Sequence, residues 1–315
     1  MSSLLAPLDA LAAYSDPLGW VVIAAFLTGT ALVVADRREA ARYVAAGAWA
    51  IFAVFWLSVF PHFMFEVKSV IEGVGSLVAV PASLYTGYLL LQGRESLLTL
   101  STAVGVMGVL YFPTQAIPWV RKLLIETVAD QTYWGITALG YSPEYTTGPI
   151  YGYQNEFVFA GFSTYIIYAC TGIGSIAIFA GLIAATAAPL RRKLRSFALA
   201  TGIIWVLNIV RNVFVAIAAG RQWFQHDAVA SVAGAAAGVE GPHVSFWVAH
   251  SVISQTLSVV ALVGITWIVV HRLPEMLSIL EEALFVLTGT EYDLREELDI
   301  QPAVADGGTA VDGDA

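Results

Sequence analysis

Long apolar runs separated by short basic clusters set the pattern of this chain. Runs long enough to cross a bilayer core of about 30 Å fall at about 18–35, 44–62, 72–92, 97–117, 160–189, 196–219 and 246–270. The pattern predicts an all-α, polytopic integral membrane protein with about seven transmembrane helices. Assigned to alternate sides, the loops place Arg37, Arg38, Arg42, Arg94, Arg191, Arg192, Lys193, Arg195 and Arg272 together. The opposite loops hold only Lys68, Arg121, Lys122 and Arg221. Basic residues concentrate on the cytoplasmic side, so the N-terminus is expected outside and the C-terminus in the cytoplasm.

Two outer segments are longer than a connection needs. Residues 118–159 read as an amphipathic stretch followed by a Tyr/Gly/Pro-rich loop, and 220–245 as a second cap. Long loops carry function more often than short ones. The parts at 130–159 and 220–245 are therefore the expected substrate-binding loops.

Composition sharpens this picture. The chain is 58% hydrophobic and 12% charged, against roughly 25% charged in soluble domains, and its mean hydropathy is +0.73. The net charge of −9 is a local property: residues from Glu275 onward hold 11 acidic residues and one basic, while 1–274 hold 13 and 14. This divides the chain into a transmembrane catalytic domain at 1–274 and a cytoplasmic acidic amphipathic segment with a disordered tail at 275–315. The N-terminus lacks a basic region and a cleavage site, so no removed signal peptide is expected. One cysteine excludes a disulfide framework and a Cys-rich zinc site. His243 and His250, about 10.5 Å apart along a helix, cannot chelate one ion. Neither metal nor cofactor is expected, and no basic recognition module suggests nucleic acid.

Three residues interrupt the apolar runs chemically: Cys170 in "YIIYACTGIGSI", Arg211 in "LNIVRNVFV" and His250 in "FWVAHSVISQ". Counted along continuous helices from the basic boundary, they lie at roughly 31, 24 and 31 Å. All three thus fall in the outer part of the membrane, on consecutive spans. Each alone has an ordinary structural reading: a small hydrophobe, an arginine satisfied by Asn208 or by snorkelling, an interface histidine. Together at one depth they have the parts of an acyl-transfer site. A thiolate attacks, a guanidinium favours the thiolate and binds an oxyanion, and an imidazole moves the proton.

"YACTG" with Cys170, "NIVRN" with Asn208 and Arg211, and "HSVISQ" with His250 resemble the archaeosortase/exosortase family. The resemblance implies a membrane-embedded cysteine transpeptidase with Cys170 as nucleophile, Arg211 as its electrostatic partner, His250 in the third catalytic position and Asn208 in support. It implies substrates such as S-layer glycoproteins that end in a Pro-Gly-Phe-type motif, a transmembrane helix and a basic tail. It also implies a membrane lipid as acceptor and an active site on the extracytoplasmic face. On the residues alone, two rivals stay open: an anion transporter with Arg211 in an outer vestibule, and a non-catalytic surface-assembly protein.

Overall fold

The computed structural model describes residue 8, residues 10–66 and residues 70–299; the expected acidic tail at 300–315 lies outside the described residues. Among the described residues six helices are long and apolar enough to span: α1 (Ser15–Val34), α2 (Arg38–Pro61, continued by a π turn at His62–Glu66), α3 (Val70–Leu91), α4 (Leu97–Ala116), α7 (Leu190–Gly220) and α9 (His243–Arg272). Between α4 and α7 lie α5 (Pro118–Ala138), a small antiparallel sheet and α6 (Ile173–Ala185). The helix α8 (Asp227–Ala237) precedes α9, and α10 (Leu277–Thr288) and α11 (Leu294–Glu297) follow it. The chain is a helical, multi-span membrane protein.

The fifth expected span differs most from expectation. Only its second half is helical, and α6 has 13 residues, about 20 Å of helix against a core of about 30 Å. The first half folds as β3 (Phe162–Tyr165) and a 3₁₀ turn at Tyr168–Thr171. "FSTYII" is aromatic, hydroxylic and β-branched, a composition that suits a strand, and apolarity alone cannot tell a buried strand from a helix. Gly161 (φ +90°) and Gly172 (φ +75°) bracket the departure from helix. The height of Cys170 counted on a continuous helix therefore does not hold.

Ahead of this segment, Ile117 is extended and Pro118 opens α5. That pairing is expected, because the residue before a proline is excluded from the helical region and proline suits the first helical turn. α5 carries Arg121, Lys122, Glu126 and Asp130 and is not among the six spanning candidates. The sheet order is β1 (Glu144–Thr147), β2 (Gln154–Phe159), β3. It pairs Glu144 with Val158, and Phe157 with Thr164.

Among the described residues, the three largest buried clusters hold the fold. α1, α2 and α4 meet through Phe26, Trp49 and Phe52; Phe26 and Trp49 lie edge to face at 5.2 Å, and Trp49 Nε1 donates to Ser101 Oγ at 2.8 Å. α6, α7 and α9 meet through Phe179, Ile204 and Ile265, and this cluster extends past the last span to Met276 and Leu277. Gly181 of α6 lies so close to the Ala103 carbonyl of α4 that a Cβ would collide with it, the small-residue contact that lets membrane helices approach. The third cluster joins α5 (Ile125, Val128), β2 (Phe157) and α7 (Val213, Ile217), and so fixes the sheet against the end of α7 remote from its basic start.

The basic loops share one end of the bundle. Arg94 donates to Glu282 and Glu291, each at 2.8 Å, and Arg192 to Glu275 at 2.8 Å. Part of the acidity after Glu275 is thus engaged in pinning α10 to the basic end.

Candidate functional site

At the other end, Cys170 sits in the 3₁₀ turn just ahead of α6, half-buried and outside any disulfide. Its backbone is fixed from both sides. The Cys170 amide donates to the Ile167 carbonyl at 2.9 Å. Its carbonyl accepts from Asn208 Nδ2 at 2.8 Å and from Asn212 Nδ2 at 2.9 Å. Asn208 and Asn212 are four apart on α7, so one helical face presents both amides. Below the turn, Thr171 Oγ1 donates to the Tyr168 carbonyl at 2.7 Å. The Tyr168 hydroxyl shares a hydrogen bond with Thr114 Oγ1 at 2.7 Å and reaches the Tyr111 carbonyl at 3.0 Å. Burial pushes the Tyr168 phenol above the usual tyrosine range, which keeps it a neutral donor to α4.

Gly172 closes the turn. Its left-handed backbone begins α6, and a Cβ there would press on Asn208 at 3.1 Å. The turn thus places Cys170 just ahead of the start of a helix, where the backbone dipole favours negative charge.

Arg211, one residue before Asn212, is half-buried, and its Nη1 lies 3.4 Å from Asn212 Oδ1. Asn208, one of the structural partners open to Arg211, gives its amide to the Cys170 carbonyl instead. His250 lies in a π segment, Val248–Ser254, inside α9. Such an extra residue in a helical turn is common at functional sites. Its ring stacks on Phe246 at 5.1 Å and 11°, and its Nδ1 is 3.5 Å from Ser251 Oγ.

Cys170, Arg211 and His250 line one cavity of about 420 Å³. That volume falls in the range of about 300–1,000 Å³ typical of ligand sites. The two long segments singled out as substrate loops touch it only through Phe157 and His243; the wall beside Cys170 is β3 and the two residues after it, Phe162–Ile167. Sequence reasoning missed Asn212 and this strand. The first was visible as an asparagine pair at i and i+4; the second was masked by its apolarity. Among the described residues no group of three His, Cys, Asp or Glu could hold a metal ion.

Comparison with known proteins is consistent with this geometry. The family described as transmembrane exosortase matches residues 13–249. Archaeosortase A of Haloferax volcanii is 47% identical over 298 residues, covering 90% of this chain and 97% of that protein. Archaeosortase A of Natronomonas pharaonis is 46% identical over 301 residues, covering 92% and 95%. No solved structure matches the chain.

Proposed function

The chain belongs to the transmembrane exosortase family, and from that premise we propose how this membrane cysteine transpeptidase, which processes C-terminal sorting signals, does so with its own residues. The observation that carries the reading is the shared cavity: Cys170, Arg211 and His250, from three separate elements, face one space.

In the first step His250 takes the thiol proton and the Cys170 thiolate attacks the scissile carbonyl. Arg211 binds the tetrahedral oxyanion, and the α6 N-terminus adds its dipole to the same region. The C–N bond then breaks, His250 returns the proton to the leaving amine, and a thioester remains on Cys170. In the second step a membrane-lipid headgroup nucleophile gives its proton to His250 and attacks the thioester, releasing the Cys170 thiolate. Asn208 acts as a positioning residue, because it holds the carbonyl of the nucleophile and not its sulfur. The substrate is a surface protein ending in a Pro-Gly-Phe-type motif, a transmembrane helix and a basic tail. The cavity end faces the extracytoplasmic side, opposite the basic loops, as the positive-inside tendency favours.

Incubation with such a substrate followed by intact-mass analysis tests the covalent step. A Cys170-linked acyl adduct is expected in the wild type when the acceptor lipid is withheld, and none in Cys170→Ala. Normal processing by Cys170→Ala would end the covalent mechanism.

A further inference from the structure

β3 is an edge strand, and its residues line the cavity beside Cys170. A two-residue connection, Ala160-Gly161, makes Phe159 and Phe162 the closing pair of the β2–β3 hairpin. The Ile166 amide donates to the Asn155 carbonyl at 2.9 Å, and the Asn155 side chain takes the Ile166 carbonyl at 2.5 Å. These bonds set the phase of the ladder. Phe162, Thr164 and Ile166 turn their backbone groups toward β2, and Ser163, Tyr165 and Ile167 turn theirs away. The Ile167 carbonyl is taken by the Cys170 amide. The Ser163 and Tyr165 amides and carbonyls and the Ile167 amide are left without a partner in the sheet.

Exposed edges invite pairing, and proteins usually block them with charge, proline or a bulge. The other edge of this sheet is treated in that way: β1 begins at Glu144 and is bulged between Thr146 and Thr147. β3, "FSTY", has no such device. One side chain of β3 in the cavity wall is also unfinished. Thr164 is 7% exposed, and its buried hydroxyl has no hydrogen-bond partner. From Ser163 to Ile167 an extended edge runs about 13 Å, room for three to five residues. One 3₁₀ turn further on is Cys170.

We infer that the free edge of β3 binds the peptide segment carrying the scissile bond as an added fourth strand, delivering its carbonyl to Cys170. This deepens the proposed function and rests on it. Main-chain pairing would supply affinity, and alternate side-chain positions would supply specificity. A proline in the segment is accommodated only where its nitrogen faces away from β3, because it has no N–H to give.

The test uses the full-length protein in lipid nanodiscs and a synthetic peptide with a Pro-Gly-Phe segment, an apolar helix and a basic tail. Successive backbone amides around the motif are replaced one at a time by esters, which removes a donor and keeps the side chains. Alternation is expected: every second replacement lowers processing efficiency by roughly tenfold, and those between have little effect. A parallel loss is expected in Ser163→Pro, which deletes one edge donor, with thiol labelling of Cys170 unchanged. If the unmodified peptide is processed and the ester series shows no period of two, the added strand is overturned while the transpeptidase reading stands. If the unmodified peptide yields neither product nor a Cys170 adduct, the proposed function falls and this inference falls with it.

Discussion

Cys170 is held by its backbone carbonyl, and that decides what its neighbours do. Two amides, from Asn208 and Asn212, converge on one oxygen, so rotating the turn away from the cavity would leave both donors unpaired at a cost of about 1–3 kcal/mol each. The contact of Arg211 with Asn212 is a long one at 3.4 Å, and the proposed mechanism uses its planar fork to bind the oxyanion. Arg211→Lys keeps the charge and loses the fork. A loss of roughly 10²–10³ in turnover is expected, measured as product per unit time with Cys170 labelling as the control for folding. Activity near wild type in Arg211→Lys would show that charge alone suffices.

At the scale of elements, the site depends on a helix that starts late. Had 160–189 been one span, Cys170 would sit on a helical flank with its carbonyl spent on the amide four residues on. Gly172 prevents that by taking a left-handed conformation and starting α6 after Cys170. Gly172→Ala places a Cβ in that conformation, about 1–2 kcal/mol of backbone strain, and crowds Asn208. A lower thermal midpoint and slower thiol acylation are expected together. A variant with unchanged stability and unchanged acylation would remove the turn from the account. The π segment of α9 acts in a related way: it inserts a residue between Phe246 and the regular helix below Ser254, which sets the direction from which His250 enters the cavity.

Across the whole molecule, the two ends do different work. The basic end is closed by ion pairs to the chain after the last span, with Arg94 bridging Glu282 and Glu291 and lying 3.6 Å from the Phe285 ring centroid. Arg94 holds the exposed Glu291 carboxyl below the usual range. A depressed carboxylate contributes stability that is present above its unfolded value of about 4.3 and lost as pH falls through its lower folded value. Hydrogen exchange of α10 amides is therefore expected to quicken on acidification below about pH 4, and already at neutral pH in Arg94→Gln. Exchange indifferent to both would show that burial of Met276 and Leu277 alone holds α10.

The sequence by itself determined the membrane class and the basic end, and it singled out Cys170, Arg211 and His250, which the structure brings to one cavity. Each is a matter of composition or residue type: long apolar runs need a bilayer, arginines gather on one side, and a thiol, a guanidinium and an imidazole are scarce in spans. It did not determine how Cys170 is presented. An apolar run reads alike as helix or strand, so the β3 wall and the 3₁₀ turn emerged only where α5 and α7 pack around the sheet. Asn212 was legible as half of an asparagine pair four apart, but what the pair holds was not, since its bond crosses 42 residues of chain. Only tertiary structure closes such distances, because packing on α5 and α7 favours a strand where the local pattern admits a helix as well.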